Sequence, residues 1–178
     1  MINFKSLKQI NHTIILIALT LFTCMSTMLA LLYAQGYRYN ISYSYPTSIY
    51  KLTHDHMDYH RGELVLFCPP HNAAMQMALK RDCIKMGLCP GGLTPVIKKI
   101  MAMEGNRISF EDQVVHINGQ KMPSAMVLSE DSQGRLLPQF APFPLQPNHS
   151  PIDSFDSRYY GTVPFHHLLG HIEPVWVW

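Results

Sequence analysis

Lys98 stands inside an apolar run, TPVIKKIMAM from Thr94 to Met103. Flanked by Val96, Ile97, Ile100 and Met101, it is predicted to be drawn out of water. Desolvation disfavours an ammonium and lowers its pKa, sometimes by several units. A neutral amine can act as a general base, whereas a lysine whose stem lies on apolar surface and whose head reaches water does no chemistry. Adjacent Lys98 and Lys99 point to opposite faces of a strand, so one of the two is predicted to be buried. A second stretch, YNISYSYPTSIYKL from Tyr39 to Leu52, places Ser42 and Ser44 two apart, both before Pro46. A serine becomes a nucleophile when a base takes its proton, and a Ser–Lys pair is one such arrangement. Pro46 pushes Tyr45 toward extended geometry. The Ser42 hydroxyl, on the same side of an extended strand as Ser44, could join the Ser44 N–H in holding an oxyanion. A third stretch, SFDSRYYG from Ser154 to Gly161, gathers hydroxyls, the Asp156 carboxylate and the Arg158 guanidinium. Asp156 and Arg158, at i and i+2, could pair bidentately, and Ser154 could hydrogen-bond a nearby amine. Taken singly, these stretches read better as a solvent-facing lysine, a Ser-rich turn and an ordinary polar turn.

Elements that would position these groups follow from periodicity and punctuation. From Thr13 to Tyr37 there is no formal charge. The run Thr13–Ala34 is about 33 Å long as a helix, enough for a hydrocarbon core of about 30 Å. Lys5 and Lys8 precede it, so the positive-inside rule predicts a cytoplasmic tail over 1–12, an anchor over 13–35 and an exported domain over 36–178. A cleaved signal peptide is the alternative; the apolar stretch is longer than the usual h-region, and the candidate cleavage site near Ala34 is poor. Arg61–Pro70 reads as a strand stopped by two prolines. Asn72 reads as the N-cap of a helix, AAMQMALKRDCIKM, ended by Gly87. RISFEDQVVHINGQKMP reads as three strands with a type I′ hairpin at Asn118–Gly119. Residues 129–153 read as a long proline-rich loop or cover, and HIEPVWVW as a final strand. A mainly β domain with a small helical insertion, behind one N-terminal transmembrane helix, is therefore expected, and 13 prolines with few charges fit it.

Other residues narrow the classes. A formal net charge of +2 gives no reason to expect a nucleic-acid partner. Of four cysteines, Cys24 lies in the apolar run, which leaves Cys68, Cys83 and Cys89 in an oxidising compartment: one bridge and one thiol left over. None has metal-ligand spacing. HDHMDYH, with His54, His56 and His60, has a metal-binding composition but reads better as an exposed loop, and His166, His167 and His171 read similarly. A histidine is the chief rival to Lys98 as base. Phe140, Phe143, Trp176 and Trp178 read as core in preference to membrane-surface contacts.

The order N-x-S-x-S-x-P, GELVLF, IKKIMAMEGN, SxDSRYYG behind one apolar helix resembles the type I signal peptidase family. The closer resemblance is to its conjugative-transfer branch, the TraF peptidases: one residue separates serine from proline, CPP follows the GELVLF box, CPGG precedes the lysine strand, and SxDSRYYG is the last box. The similarity runs from about Tyr39 to the C-terminus. It implies an all-β signal-peptidase fold and a serine endopeptidase working without a cofactor or metal. Ser44 matches the nucleophile and Lys98 the general base. Ser42 matches the hydroxyl of the oxyanion hole, Ser154 the serine that orients the base, and Asp156 and Arg158 a supporting ion pair. Asn40 matches a structural position. The recognised CPP and CPGG elements imply a Cys68–Cys89 disulfide, with Cys83 left free. The resemblance also implies a place in a bacterial inner membrane with a periplasmic catalytic domain, a pilin precursor or signal-peptide-bearing protein as substrate, and a conjugative transfer apparatus as the setting. A general signal peptidase and a catalytically inactive pilus assembly factor are the alternatives. Two departures stand out: Ser48 replaces a usual glycine, and Glu104-Gly105-Asn106 replaces Pro-Gly-Asp.

Overall fold

A computed structural model describes residues 4–40, 45–54, 58–138 and 157–177. The chain divides between Arg38 and Tyr39 into two compact units. The first is dominated by helix α1, Phe4–Ala34. Its segment His12–Ala34, 23 residues, is long and apolar enough to cross a membrane. Few polar side chains interrupt it, and they are locally satisfied: the hydroxyls of Thr20, Thr23 and Thr27 each donate to a backbone carbonyl one turn earlier, at 2.8 Å. Arg38 closes the C-terminal end, donating to the Tyr33 carbonyl at 2.7 Å with its guanidinium 3.7 Å from the Tyr33 ring centre. A cation there also suits the helix dipole.

The second unit is mainly β, as the sequence predicts. One sheet has the order β1 (Tyr37–Asn40), β2 (Ser48–Thr53), β9 (Leu168–Val177), β3 (Leu64–Phe67) and β5 (Val96–Lys99). The final strand is thus central. Pro174 is tolerated in it because β3 pairs only with Leu168–His171; Pro174 lies where β9 pairs with β2 alone, beside a bulge at Ile49/Tyr50. A three-stranded sheet, β6 (Ile108–Glu111), β7 (Val114–Ile117) and β8 (Gln120–Met126), packs its own core around Val115 and Ile117. Its β7–β8 hairpin turns at Asn118 and Gly119, with φ of 51° and 77°, the type I′ pair.

The helical insertion is shorter than the sequence reading predicts. Helix α2 spans Ala73–Lys80, not the full run to Gly87. Asp82 adopts φ of 60° and Cys83 donates to the Ala78 carbonyl, which ends the helix six residues early. The chain then extends as β4, Met86–Cys89. Gly87 there meets the backbone of Thr94 so closely that an added Cβ would lie 2.5 Å from its Cα, so glycine is required by approach and not by a helix end. Trp176, read as core, is 61% exposed. It pairs with Ile49, itself exposed, across β2 and β9. Phe140, Phe143 and Trp178 lie outside the described residues.

Candidate functional site

Strand β5 exists because Val96, Ile97 and Ile100 each gain burial from pairing with β3. Lys98 is opposite Val65, and Ile97 opposite Leu66. Backbone bonds continue the ladder beyond Lys99: Ile100 N–H donates to Glu63 O at 2.8 Å, and Gly62 N–H to Ile100 O at 2.6 Å. Strand alternation then places Val96, Lys98 and Ile100 on one face and Ile97 and Lys99 on the other. Lys98 is 4% exposed, whereas Lys99 is half-buried, which is the asymmetry that the sequence pattern predicts. Val65, Val96 and Ile100 belong to one apolar cluster with Phe67, Met75 and Tyr160. The stem of Lys98 therefore rises beside Val65, Val96 and Ile100, on the sheet face that also carries His171 beyond Val65.

Helix α3, Ser157–Tyr160, carries the second half of the last box. Four residues cannot hold a helix by themselves, and contacts from outside it help to fix it. The buried Arg158 guanidinium donates to the Met126 carbonyl. Leu128 N–H donates to the Tyr159 hydroxyl at 3.2 Å. The Tyr160 carbonyl accepts from the Asn72 side-chain amide at 2.9 Å. Tyr160 also joins the cluster that contains Val65 and Ile100. Lys98 and the end of the last box thus border the same apolar core.

Ser42 and Ser44 lie in segment 41–44, and Ser154 and Asp156 in segment 139–156, all outside the described residues. The flanks of 41–44 are tied together. Asn40, nearly buried, donates through its amide to the carbonyls of Tyr45 (3.1 Å) and Pro46 (3.2 Å). Tyr50 donates its hydroxyl to the Pro46 carbonyl at 3.0 Å. Burial pushes the Tyr45 phenol above its ordinary pKa, and the neighbouring Tyr50 adds to the shift. Ser48, which replaces a usual glycine, is fully buried at the start of β2 without displacing the strand. In the other departure Gly105 takes the positive φ, 87°, and Asn106 closes the turn by accepting from Met103 N–H at 2.9 Å.

Cys68 and Cys89 are disulfide-bonded, with 5.4 Å between their Cα atoms. Cys68 extends β3 by one residue, donating its N–H to His167 O at 2.9 Å. Cys83 is a free, exposed cysteine. Among the histidines, His171 stacks on Tyr59, with 4.5 Å between ring centres, and its Nδ1 is 3.5 Å from Glu63 Oε2. It is opposite Val65 from the other side, so Val65 separates it from Lys98 across the sheet. Among the described residues, no group of three or more His, Cys, Asp or Glu side chains is placed to hold a metal ion.

Two clefts open beside this face. One, of about 330 Å³, is mainly apolar and lined by Tyr59, Ile100, Met103, Phe165 and Leu168. The other, of about 620 Å³, is lined by ionisable groups that include His60, Glu63 and His171. The apolar cleft includes Ile100, which shares its strand face with buried Lys98.

The family model described as signal peptidase, peptidase S26, matches residues 7–178. The chain belongs to the signal peptidase family. That membership meets the expectation drawn from the sequence motifs and accounts for the mainly β fold. Signal peptidase relatives are similar over most of their length. The conjugal transfer protein TraF of Agrobacterium fabrum is 37% identical over 145 residues, covering 79% of this chain and 82% of that protein. The probable conjugal transfer protein TraF of Sinorhizobium fredii is 35% identical over 145 residues, 79% and 77% of the two chains. A plasmid transfer protein TraF of Escherichia coli is 29% identical over 154 residues, 82% and 85%.

Sequence reasoning undervalued two asparagines of this member of the family. Asn72 is legible as a helix cap, but its donation to Tyr160 spans 88 residues. Asn40 is legible only as structural, since the carbonyls that it holds are chosen by the chain reversal and not by spacing.

Proposed function

We propose that the protein is a membrane-anchored serine endopeptidase with a Ser44–Lys98 dyad, acting on a membrane-inserted precursor. The observation that carries this reading is the burial of Lys98 on an apolar face in a member of the signal peptidase family. Desolvation disfavours an ammonium, so burial is what a lysine base requires. Lys98 Nζ, neutral, takes the proton of Ser44 Oγ as that oxygen attacks the scissile carbonyl carbon. The resulting oxyanion is held by the Ser44 N–H and the Ser42 hydroxyl. Collapse breaks the C–N bond; Lys98 returns the proton to the departing amine, and an ester on Ser44 remains. Water then hydrolyses the ester, or the substrate's own amino terminus attacks it and closes a ring. Ser154 orients the amine of Lys98, and Asp156 supports Arg158.

Residues 1–12 are assigned to the cytoplasm, 13–35 to the inner membrane and 36–178 to the periplasm, from Lys5 and Lys8 on the near side of the apolar run. The names of the relatives, conjugal and plasmid transfer proteins, support a precursor belonging to the conjugative transfer apparatus, a pilin in the first instance. The test is to co-express candidate pilin and enzyme and weigh the product. Ser44→Ala and Lys98→Ala are expected to leave the precursor uncut while Lys99→Ala cuts it. A linear product indicates hydrolysis, and one lighter by a water indicates cyclisation. Normal processing by Lys98→Ala together with loss in His171→Ala would overturn the dyad. Rescue of a strain depleted of its own signal peptidase would indicate a general signal peptidase instead.

A further inference from the structure

We propose that Asn72 is a positioning residue for the last box, holding α3 against the face that carries Lys98. The proposal rests on the dyad reading for its catalytic half. One side chain serves two elements. Its Oδ1 accepts from Met75 N–H at 3.0 Å and so caps α2. Its Nδ2 donates to the carbonyl of Tyr160 at 2.9 Å. Serine, threonine or aspartate would serve the cap equally well, but none of them supplies an amide donor on the far side of the same group.

The donor is held in place by its surroundings. Asn72 is extended, with φ of −136° and ψ of 177°, and its N–H donates to Pro70 O at 3.1 Å. Pro69 and Pro70 restrict the chain just before it. Cys68, four residues earlier, is tied to Cys89. The acceptor has a matching need. The last carbonyls of a helix lack intrahelical partners, and Tyr160 is buried, so water does not reach it freely. The contacts of Arg158 and Tyr159 to Met126 and Leu128 tie α3 to residues 126–128. The Asn72 contact ties it to the start of α2, whose Ala74 and Met75 share a core with Tyr160, Val65 and Ile100, beside Lys98. Tyr160 borders the same core as Lys98, so the anchoring of α3 bears on the surroundings of that amine.

The test compares Asn72→Asp and Asn72→Ser, which keep an acceptor for Met75 N–H, with Asn72→Ala, which keeps neither role. The full chain in detergent micelles is assayed with a precursor peptide, and deuterium uptake is followed in peptides covering 73–80 and 157–163. In the aspartate and serine variants, uptake over 157–163 is expected to rise while uptake over 73–80 stays at the wild-type level. In both, kcat is expected to fall roughly five- to tenfold, the size of one lost neutral hydrogen bond, with KM little changed. Unchanged uptake over 157–163 in both variants would overturn the proposal, as would a loss confined to Asn72→Ala that tracks uptake over 73–80, since that would make Asn72 a cap alone. Lys98→Ala in the same assay separates the two failures. If it stays active the dyad falls, and the catalytic half of the proposal with it; unchanged uptake refutes the positioning role with the dyad intact.

Discussion

A lysine on β5 has two choices of face, and the two adjacent lysines take one each. Lys98 enters the face shared by Val65, Val96 and Ile100, while Lys99 keeps partial access to water. Simple strand alternation made this legible in advance. What alternation could not supply is the set of polar contacts that bridge distant segments, such as Asn40 to Tyr45 and Pro46, or Asn72 to Tyr160. Those depend on where chain reversals bring carbonyls together. Ser154, read as the orienting hydroxyl, gives a prediction at this scale. Ser154→Ala is expected to slow precursor-peptide cleavage with little loss of thermal stability. The defect is expected to shrink as pH rises, because the active form of the base is the neutral amine and higher pH populates it without help from the hydroxyl. A pH-independent defect in the rate profile would assign the serine another role.

At the scale of elements, Asn118–Gly119 was legible as a hairpin because both turn residues tolerate positive φ. The preceding turn, Asp112–Gln113, adopts φ of 50° and 62° without a glycine, and nothing in its composition announced it. Helix α2 misled for a similar reason: helical periodicity continues past Lys80, but Asp82 in the left-handed region and the tight passage at Gly87 divert the chain into β4. The insertion is closed at its base by Cys68–Cys89, 21 residues apart. In the chain-entropy model, a loop of that length contributes about 3 kcal/mol. Replacing both cysteines with serine is therefore expected to lower unfolding stability by roughly that amount in denaturant titration, whereas Cys83→Ser, at an exposed free thiol, is expected to change it little. The last box offers a further check. Arg158 is 2% exposed, and removing the charge partner of a buried guanidinium costs roughly 3–5 kcal/mol. Asp156→Asn is expected to lower both melting temperature and cleavage rate; full activity and stability would remove Asp156 from its supporting role.

Among the described residues the largest features are a helix of membrane-crossing length and a mainly β unit, and the apolar helix was legible from hydropathy alone. The strand order was not, because β9 reaches its central place through pairings with β2 and β3 that lie more than a hundred residues away in sequence. Nor was the exposure of Trp176, since aromatic character alone does not say which side of a sheet is covered. A tether acts by confining enzyme and substrate to one plane, raising effective concentration. Deleting residues 1–35 is accordingly expected to leave cleavage of a short soluble peptide near the wild-type rate and to slow processing of the membrane-inserted precursor by about a hundredfold or more, the lower end of avidity gains. Equal losses on both substrates would show that α1 contributes to the catalytic unit itself.

The central claim is that Ser44 is acylated with Lys98 as its base, and acylation can be weighed. Enzyme and precursor peptide are mixed, quenched in acid within the first turnover and mapped by mass spectrometry. The account predicts an ester on the peptide that contains Ser44 in the wild type and in Lys99→Ala, and none in Ser44→Ala or Lys98→Ala. An acyl group on another residue, or acylation of Lys98→Ala at the wild-type rate, would contradict it.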